Sequence, residues 1–227
     1  MNIILTGSNG QLGESIKYIF QKEKYNLLAF NKDKLDITSI KSIRNIVVKY
    51  SPDLIINAAA FTAVKEAEIK KDDCYQVNYD GVKNLANICQ QLKIPLIHIS
   101  TDYVFDGSKT NPYHVEDETN PLNIYGLSKL KGEEEIQKKI SKFIIIRTSW
   151  TFSEYGSNFV KTITDKIINT TSDIHVVNDQ IGGPTSCRLL AKKILLFVKL
   201  IEINKQGIWG TYHYSNLPFI SWYDFAK

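Results

Sequence analysis

Short apolar runs rich in β-branched residues alternate along the chain with longer segments whose apolar residues recur at helical spacing. The short runs predict strands over 2–6, 26–30, 53–57, 95–100, 143–148, 174–177 and, outside the regular alternation, 210–216. The longer segments predict helices over 11–22, 39–50, 75–92, 126–139, 157–169 and 185–200. Continuously apolar strands are typical of a parallel sheet covered on both faces. The pattern therefore predicts an α/β fold with a doubly wound parallel sheet in the common strand order 3-2-1-4-5-6.

A glycine loop, TGSNGQLG, joins the first predicted strand to the first predicted helix. Its three glycines stand three residues apart, where glycine allows a tight turn, close approach of the backbone to a pyrophosphate, and helix–strand packing. The helix that follows offers free N–H groups and partial positive charge to phosphates. A plain strand–helix turn is the alternative, but the position on the first βα unit favours a dinucleotide site. The predicted cofactor-binding residues of the loop are Gly7, Gly10, Gln11, Leu12 and Gly13.

Residues 1–150 are thus predicted to form a Rossmann-type NAD(P)-binding domain. Residues 151–227 are predicted to be a mixed segment that completes the sheet and forms a small substrate-binding lobe, together with the Gly- and Pro-bearing insertion 106–122. The final residues, ISWYDFAK, are typical of the start of another helix. We therefore expect that a C-terminal segment has been lost from this chain.

The end of the second predicted strand indicates which ribose the cofactor carries. An acidic residue at that position binds the 2′-hydroxyl of NAD, but this chain has Asn31 followed by Lys32. A neutral residue beside a lysine accommodates a 2′-phosphate. NADP(H) is therefore slightly favoured over NAD(H), and exclusive use of NAD is not expected.

The composition is that of an ordinary globular chain of 227 residues, with 43% hydrophobic and 23% charged residues. Its net charge of +4 comes from scattered basic residues, which argues against nucleic-acid binding. Three widely separated cysteines argue against a disulfide framework and a zinc site, and they fit a cytoplasmic protein with reduced thiols. The first apolar run has no charged region before it and is too short for a signal peptide or a membrane-spanning helix.

A tyrosine followed four residues later by a lysine occurs four times, although chance predicts about one such pair in a chain with 12 tyrosines. The pairs are Tyr18/Lys22, Tyr79/Lys83, Tyr125/Lys129 and Tyr223/Lys227. In the predicted topology the fourth strand ends beside the first one, at the switch point where ligands bind. Tyr125 begins the helix that follows at this edge, so topology selects Tyr125 and Lys129 as the active-site pair.

Proton transfer is the chemistry that this pair can perform. Residues four apart share a helix face, so the ammonium of Lys129 can approach the phenol of Tyr125. Lowering a phenol pKa from about 10 to near neutrality takes roughly 4 kcal/mol, and a charge about 4 Å away supplies about that much at an effective dielectric of about 20. Thr101 is predicted to hydrogen-bond the substrate oxygen as charge develops on it. A strand-end threonine bound to the backbone is the alternative.

Six motifs follow one another along the chain: TGSNGQLG, NAAAFTAV, STDYVFDG, IYGLSK, RTSW and NDQIGGPT. On these motifs the chain resembles the extended short-chain dehydrogenase/reductases and, within them, the dTDP-4-dehydrorhamnose reductase family, over essentially its whole length. STDYVFDG and the tyrosine–lysine pair are shared across the extended family, whereas RTSW followed by NDQIGGPT is more particular to the reductases.

The resemblance implies reduction of the 4-keto group of dTDP-4-dehydro-L-rhamnose to dTDP-L-rhamnose, a precursor of bacterial surface polysaccharide. It makes Tyr125 the proton donor, Lys129 its electrostatic partner and ribose anchor, and Thr101 the ligand of the carbonyl. The further cofactor contacts that it implies are Asn31, Asp36, Ile37, Ala60, Phe61 and Thr62. The substrate contacts that it implies are Thr101, Asp102, Tyr103 and Trp150.

Structural alternatives accompany several of these roles. Asp36 or Thr38 can cap a helix, Trp150 can be a core aromatic residue, and NDQIGGPT can be an ordinary Gly/Pro loop. Some relatives hold magnesium between subunits through glutamates, but the matching positions here carry Ser15 and Arg188, so no metal is expected. The expected partner is a dTDP-sugar substrate, without nucleic acid or membrane, and a homodimer is left open.

Two other functions remain open at this point. One is another extended-family enzyme, an epimerase or a dehydratase acting on a different nucleotide sugar. The other is a non-catalytic NADP-binding regulatory subunit, because the regulatory subunit of methionine adenosyltransferase resembles the same family. The presence of Thr101, Tyr125 and Lys129 together argues against the second alternative.

Cofactor choice gives the first testable prediction. NADPH should bind at least as tightly as NADH, and Asn31→Asp should weaken NADPH binding selectively because the carboxylate repels the 2′-phosphate. Isothermal titration of both cofactors into both proteins measures this. A clear preference of the unaltered protein for NADH would contradict it.

Overall fold

The computed structural model describes residues 1–227 and has a six-stranded parallel sheet at its centre. The strands of the molecule are β1 (Asn2–Thr6), β2 (Asn26–Phe30), β3 (Leu54–Asn57), β4 (Leu96–Thr101), β5 (Phe143–Thr148), β6 (Thr151–Phe152), β7 (Ile181–Gly182), β8 (Thr185–Ser186), β9 (Gly210–His213) and β10 (Ile220–Ser221). The sheet order is β2-β1-β3-β4-β5-β9, and every neighbouring pair is parallel. The predicted doubly wound α/β fold is confirmed.

Helices cover both faces of this sheet. The α-helices are α1 (Gln11–Phe20), α2 (Ile40–Tyr50), α3 (Val64–Ala67), α4 (Lys71–Tyr75), α5 (Val82–Leu92), α6 (Ile124–Lys139), α7 (Phe159–Asn169), α8 (Cys187–Glu202) and α9 (Trp222–Ala226). A π-helical segment, Gln76–Gly81, joins α4 to α5, and a 3₁₀ turn, Asp102–Val104, follows β4. None of these helices has both the length and the apolar character needed to cross a membrane.

The predicted strand order is wrong in one respect. The order 3-2-1-4-5-6 places the third predicted strand, 53–57, beyond β2, but β2 is the edge of the sheet. The next strand, β3, instead pairs with the other side of β1 and separates β1 from β4. The switch point of the sheet therefore lies between β1 and β3, as in the 2-1-3-4-5 order.

The strand predicted at 174–177 is also absent. Polar residues flank this short run, Val177 is exposed, and its carbonyl accepts a single hydrogen bond from the backbone N–H of Tyr223. The sheet position beside β5 is taken by β9, which confirms the strand predicted near 210–216. This run of three apolar residues and one histidine therefore stays a loop because no neighbouring strand is available to pair with it.

Polar side chains fix where the main helices begin. Ser39 caps α2, Asn123 caps α6 and Asn158 caps α7, each by accepting a hydrogen bond from a backbone N–H three residues later. A side-chain cap of this kind satisfies one of the N–H groups that every helix start leaves without a partner. At the other end, α2 and α5 each stop at a residue with a left-handed backbone, Ser51 and Lys93.

The sheet separates two apolar layers of equal size. On one face, α1 and α8 cover β1, β3 and β5, with Ile16 and Ile194 fully buried. On the other face, α2, α5 and α6 pack against the sheet, with Leu85 and Ile136 fully buried. Burial of each such side chain contributes about 2 kcal/mol. Both layers are needed, because the strands are apolar on both sides.

A buried ion pair ties α6 to β5 at the carboxyl end of the sheet. Arg147 donates to both oxygens of Glu133, with Nη2 to Oε2 at 2.7 Å, and both side chains are almost inaccessible to solvent. Glu133 also accepts from the hydroxyl of Ser100 on β4. The guanidinium of Arg147 lies 5.1 Å from the ring centroid of Phe105. Such a pair is stable only when both partners are present.

Removal of one partner should therefore be costly. We expect Arg147→Met to lower the free energy of unfolding by about 3–5 kcal/mol, because it leaves the Glu133 carboxylate buried without a counter-charge. Lys24→Met is the matched control, since Lys24 is 72% exposed in its pair with Glu202 and should matter by less than about 1 kcal/mol. Urea unfolding of both variants measures the two changes. Similar losses in the two variants would contradict the prediction.

Candidate active site

The glycine loop leaves no room for side chains at two positions. Gly7 has a φ of +66°, and a Cβ there would lie 2.6 Å from the backbone nitrogen of Ala59. A Cβ on Gly13 would lie 2.3 Å from the carbonyl oxygen of Gly7. The loop is therefore folded tightly against the end of β3 and the start of α1, as a pyrophosphate cradle requires.

The first turn of α1 faces this cradle with its N–H groups free. Gly10 precedes the helix with an extended backbone and makes no side-chain cap. Free N–H groups at a helix N-terminus bind anions. Gln11 points its Oε1 to the Nδ2 of Asn158, 3.0 Å away, and Leu12 packs on the core. The residues present therefore fit the phosphates of a dinucleotide cofactor.

The predicted ribose and adenine residues lie along one edge of this cradle. Asn31 follows β2 directly, and its Oδ1 accepts from the backbone N–H of Lys34 at 3.2 Å. The carboxylate of Asp36 accepts from both the backbone N–H and the hydroxyl of Thr38. Ile37 is only 3% exposed and packs in the core. Helix α2 is capped by Ser39, so neither Asp36 nor Thr38 is its cap.

The segment Ala60–Thr62 is held by the π-helical segment. Asn78 is fully buried there, and its Oδ1 accepts from the backbone N–H of Phe61 while its Nδ2 donates to the carbonyl of Phe61. The same Nδ2 donates to the hydroxyl of Ser128 on α6, 3.1 Å away. Ala60 is half-buried and Thr62 is exposed. The π turn thus lets one side chain join the predicted cofactor loop to α6.

The turn after β4 presents the predicted substrate ligands. Thr101 is 4% exposed, and its hydroxyl accepts from the backbone N–H of Tyr103 at 3.2 Å and donates to Asp102 Oδ1 at 3.1 Å. Burial raises the pKa of Asp102 to about 6, against the hydrogen bond from Thr101, which lowers it. Tyr103 is 37% exposed. Thr101 therefore makes the hydrogen bond to the backbone that a purely structural threonine would make. It also lies at the end of β4, where the sequence predicted the ligand of the substrate oxygen.

Tyr125 and Lys129 stand on the first turns of α6, beside this segment. The rings of Tyr125 and Tyr103 meet edge to face with centroids 5.6 Å apart. Gly126 makes this approach possible, because a Cβ there would lie 2.1 Å from the carbonyl oxygen of Tyr103. Thr101, Tyr125 and Lys129 are thereby brought together at the carboxyl edge of the sheet, although β4 is not adjacent to β1.

The ionisation of the pair differs from the sequence expectation. Burial raises the pKa of Tyr125 above the ordinary value of a phenol, and only the neighbouring Thr101 hydroxyl acts against this effect. Lys129 is 1% exposed and donates to the carbonyl of Ile99 at 2.6 Å rather than to the phenol. Burial also lowers the pKa of Lys129 to about 8. In this arrangement, therefore, Lys129 does not lower the pKa of Tyr125.

Sequence reasoning missed a line of buried polar side chains that leads to Lys129. We call Thr6, Asn57, His98 and Lys129 the polar row. Thr6, Asn57 and His98 lie directly opposite one another on β1, β3 and β4. Thr6 Oγ1 and Asn57 Oδ1 are 2.6 Å apart, Asn57 Nδ2 and His98 Nδ1 are 2.9 Å apart, and His98 Nε2 and Lys129 Nζ are 3.3 Å apart. The available signal was a polar residue in each apolar strand, at the last position of β1 and β3 and inside β4.

Trp150 belongs to an aromatic cluster beside this edge. Its ring stacks on Trp222 with centroids 3.6 Å apart, and it is half-buried. A Cβ on Gly182 would lie 2.6 Å from its indole, so the NDQIGGPT segment packs directly on it. That segment also contributes β7 and the start of β8, and is therefore more than an ordinary loop. Contact between Trp150 and a sugar stays a prediction.

The three other tyrosine–lysine pairs lie on the surface or away from the loop. Lys83 and Lys227 lie over the rings of Tyr79 and Tyr223, at 5.4 and 4.5 Å from the ring centroids. Tyr18 is 45% exposed and is covered by the guanidinium of Arg188 instead of Lys22. Tyr125 is the one buried tyrosine among the four. Burial and position together separate it from its look-alikes.

The positions that hold glutamates in magnesium-binding relatives have other roles here. Ser15 is fully buried and donates to the carbonyl of Gln11 at 2.9 Å. Arg188 forms an ion pair with Glu154 on the surface. No three His, Cys, Asp or Glu side chains lie close enough together to hold a metal ion.

A pyrophosphate cradle and a Thr–Tyr–Lys set at the same edge of a parallel sheet define an NAD(P)-dependent short-chain dehydrogenase/reductase. Comparison with known proteins narrows this class. The chain belongs to the RmlD family, because the family model described as the RmlD substrate binding domain matches residues 1–227.

Individual relatives agree with this assignment. The dTDP-4-dehydrorhamnose reductase of Aggregatibacter actinomycetemcomitans is 41% identical over 225 residues, which cover 99% of this chain and 76% of that protein. The crystal structure of dTDP-4-dehydrorhamnose reductase from Bacillus anthracis in complex with NADP is 40% identical, with a TM-score of 0.92 over 99% of this chain and 78% of that one. UDP-glucose 4-epimerase from Brucella ovis in complex with NAD is 17% identical, with a TM-score of 0.83 over 98% of this chain and 79% of that one, so it shows the fold alone.

The buried carboxyl of Asp102 gives a pH-dependent prediction. Its pKa is raised in the folded protein, so its charge costs stability once the pH exceeds about 4, and the full cost is present above about 6. Asp102→Asn should therefore raise the free energy of unfolding by about 3 kcal/mol at pH 8 and change it little at pH 4.

Asp106 is the control for this experiment. Hydrogen bonds from Ser108 and Tyr113 lower the pKa of Asp106, so its ionised form is the stabilising one. Asp106→Asn should lower stability at pH 8, which is the opposite sign. Urea unfolding at both pH values compares the two variants, and a destabilised Asp102→Asn at pH 8 would refute the prediction.

Proposed function

We propose that this chain is an NAD(P)H-dependent oxidoreductase that reduces the 4-keto group of dTDP-4-dehydro-L-rhamnose to dTDP-L-rhamnose. The observation that carries the proposal is the position of Lys129 at the carboxyl edge of the sheet, where the polar row connects it to Thr6, the residue before Gly7. The relatives named dTDP-4-dehydrorhamnose reductase support the choice of substrate. The product class is a nucleotide sugar for polysaccharide biosynthesis.

Binding of the cofactor falls to the residues around the glycine loop. The free N–H groups of α1 hold the pyrophosphate, Asn31 and Asp36 lie towards the adenine ribose, and Ala60–Thr62 line the path to the nicotinamide. The NADP complex of the Bacillus anthracis enzyme supports NADP(H) as cofactor. Asn31 supports the same choice, because it adds no negative charge near a 2′-phosphate.

The reduced nicotinamide supplies the hydride that adds to the carbonyl carbon of the substrate. Tyr125 gives its phenol proton to the carbonyl oxygen, which becomes the product hydroxyl, and solvent then returns a proton to Tyr125. The raised pKa keeps this phenol protonated near pH 7, so it is ready to act as a donor. Thr101 donates a hydrogen bond to the same oxygen and stabilises the charge that develops there. Lys129 stabilises the phenolate once the proton has left.

Substrate recognition is assigned to the turn after β4 and to Trp150. Asp102 and Tyr103 project from the turn that contains Thr101, so they lie next to the reacting carbonyl. The indole of Trp150, which stacks on Trp222, is the apolar contact assigned to the sugar nucleotide at the rim of this aromatic cluster. We also propose that the protein works in the cytoplasm, because Cys74, Cys89 and Cys187 are free and buried.

An epimerase of the same fold is the second candidate, since UDP-glucose 4-epimerase shares the architecture. An epimerase returns the hydride to its substrate, whereas a reductase releases oxidised cofactor in every turnover. The deciding experiment mixes the protein, NADPH and the dTDP-4-keto sugar and follows absorbance at the nicotinamide band. One NADPH oxidised per sugar reduced is expected. Conversion of the sugar without net oxidation of NADPH would exclude the reductase.

The role of Tyr125 gives a further prediction. Tyr125→Phe removes the proton donor and keeps the ring, so the rate of NADPH oxidation in a single turnover should fall by roughly 10²–10⁴ while the fold and cofactor affinity change little. Lys129→Met should slow the reaction and also weaken cofactor binding, because the ammonium additionally holds the ribose.

Two of the look-alike tyrosines serve as matched controls for this measurement. Tyr18→Phe and Tyr79→Phe remove the same hydroxyl outside the site and should leave the chemical step within a few-fold of the unaltered protein. A melting curve for each variant excludes unfolding. A folded Tyr125→Phe protein with a normal rate would overturn the assignment.

A further inference from the structure

The amide of Asn57 in the polar row has only one possible orientation. Its Oδ1 lies 3.2 Å from the backbone nitrogen of Ala59, which can only donate, and 2.6 Å from the hydroxyl of Thr6. A flipped amide would set its NH₂ group against the N–H of Ala59, and two donors make no hydrogen bond. The Nδ2 of Asn57 is therefore the atom that faces His98.

This orientation fixes the tautomer of His98. The Nδ1 of His98 lies 2.9 Å from the Nδ2 of Asn57, so Nδ1 accepts a hydrogen bond and carries no proton. A neutral imidazole then carries its proton on Nε2. The imidazolium form is excluded, because it would point a second N–H at the Asn57 amide in a site with no solvent exposure. Burial accordingly holds the pKa of His98 well below its ordinary value.

The Nε2–H of His98 points at Lys129, whose Nζ is 3.3 Å away. An ammonium has only donors, so a charged Lys129 cannot bond to this N–H. A neutral amine can accept from His98 through its lone pair while one of its own N–H groups donates to the carbonyl of Ile99 at 2.6 Å. Both contacts of Lys129 are thus satisfied only when the side chain is uncharged.

The other ionisable groups around Lys129 do not reverse this conclusion. Burial lowers its pKa to about 8, while Glu133, one turn further along α6, and Cys74 on α4 act to raise it. The carboxylate of Glu133 is already bound by Arg147 on β5. Tyr125 is the remaining ionisable neighbour on α6, and its raised pKa keeps it neutral.

We propose that His98 is a positioning residue for Lys129: its Nε2–H holds the uncharged amine against β4, and protonation of the amine breaks this contact and frees the ammonium to face Tyr125. The proposal rests on the proposed function, because Lys129 acts there through Tyr125. Lys129 then has two states. In the uncharged state the amine contacts His98 and the carbonyl of Ile99 on β4. In the charged state the ammonium is close to the phenol of Tyr125. The working state is the charged one, so turnover should fall as the pH rises through the pKa of Lys129.

The first test measures the tautomer directly and needs no activity. The protein is labelled with ¹⁵N-histidine, and the His98 signals are assigned by their loss in His98→Gln. We expect an Nε2–H, Nδ1-acceptor ring from pH 6 to 10, with a step in the Nε2 shift where Lys129 titrates and no step in Lys129→Met. An Nδ1–H tautomer, an imidazolium at pH 6, or the same step in Lys129→Met would overturn the proposal.

The second test follows the pH profile of kcat for NADPH oxidation. His98→Leu removes the donor that favours the amine, so the alkaline fall in kcat should move up by about one pH unit. His98→Gln, whose amide N–H reaches the same place, should keep the fall where it is. If His98→Leu lowers kcat at every pH but the alkaline fall stays at the same pH, the effect is merely structural and the proposal is refuted.

The two tests separate the proposal from the proposed function. An unaltered protein that lacks reductase activity but has the expected His98 tautomer and lysine-dependent step would refute the reductase and leave the positioning role supported. An active reductase with the opposite tautomer would refute the positioning role alone. Melting curves identify variants that fail to fold. If the His98 variants do not fold, the ¹⁵N-histidine spectra of the unaltered protein and of Lys129→Met decide whether His98 positions Lys129.

Discussion

Helix α6 is fixed to the sheet by two buried polar side chains that stand one turn apart. Lys129 bonds to the edge of β4 through Ile99, and Glu133 bonds to Ser100 and Arg147 on the two strands next to each other. Polar groups this deeply buried must find partners, or the fold loses several kcal/mol for each one. The position and rotation of α6 are therefore set by hydrogen bonds, and the apolar layer beneath it fills the remaining space. Tyr125, one turn before Lys129, is placed by the same constraint.

The sequence predicted the architecture well because its strongest signals are local. Continuous apolar strands, helices at 3.6-residue spacing and the glycine loop each depend on neighbouring residues, and all three are present. The strand order was missed because it depends on whether β3, after the crossover through α2, pairs beyond β2 or on the other side of β1, and nothing local decides that. The strand predicted at 174–177 was wrong for a similar reason. Its residues suit a strand, but the edge of β5 pairs with β9.

The sequence predicted which side chains lie near one another at the candidate site, and it did not predict their electrostatics. Position at the carboxyl edge was enough to single out Tyr125 among four similar pairs. The charge of Lys129 could not be predicted from its position in the sequence, because it depends on Asn57 and His98. These residues are 72 and 31 residues away from Lys129 along the chain. Each of these is an unremarkable polar residue in an apolar strand when taken alone. Only the parallel register, which sets Thr6, Asn57 and His98 side by side, turns them into one connected group.

Gly126 and Tyr125 show that neighbouring residues in one helical turn serve the site in different ways. Any side chain at this position would press on the carbonyl of Tyr103, so substitution there forces α6 away from the turn after β4. A substitution at Gly126 therefore disturbs the assembly of the site, and the expected effect is a loss of folded protein. Loss of the Tyr125 hydroxyl is expected instead to lower turnover in a protein that still folds and binds cofactor. Abundance and activity, scored separately across a library of variants, would divide this single turn of helix into two classes of position.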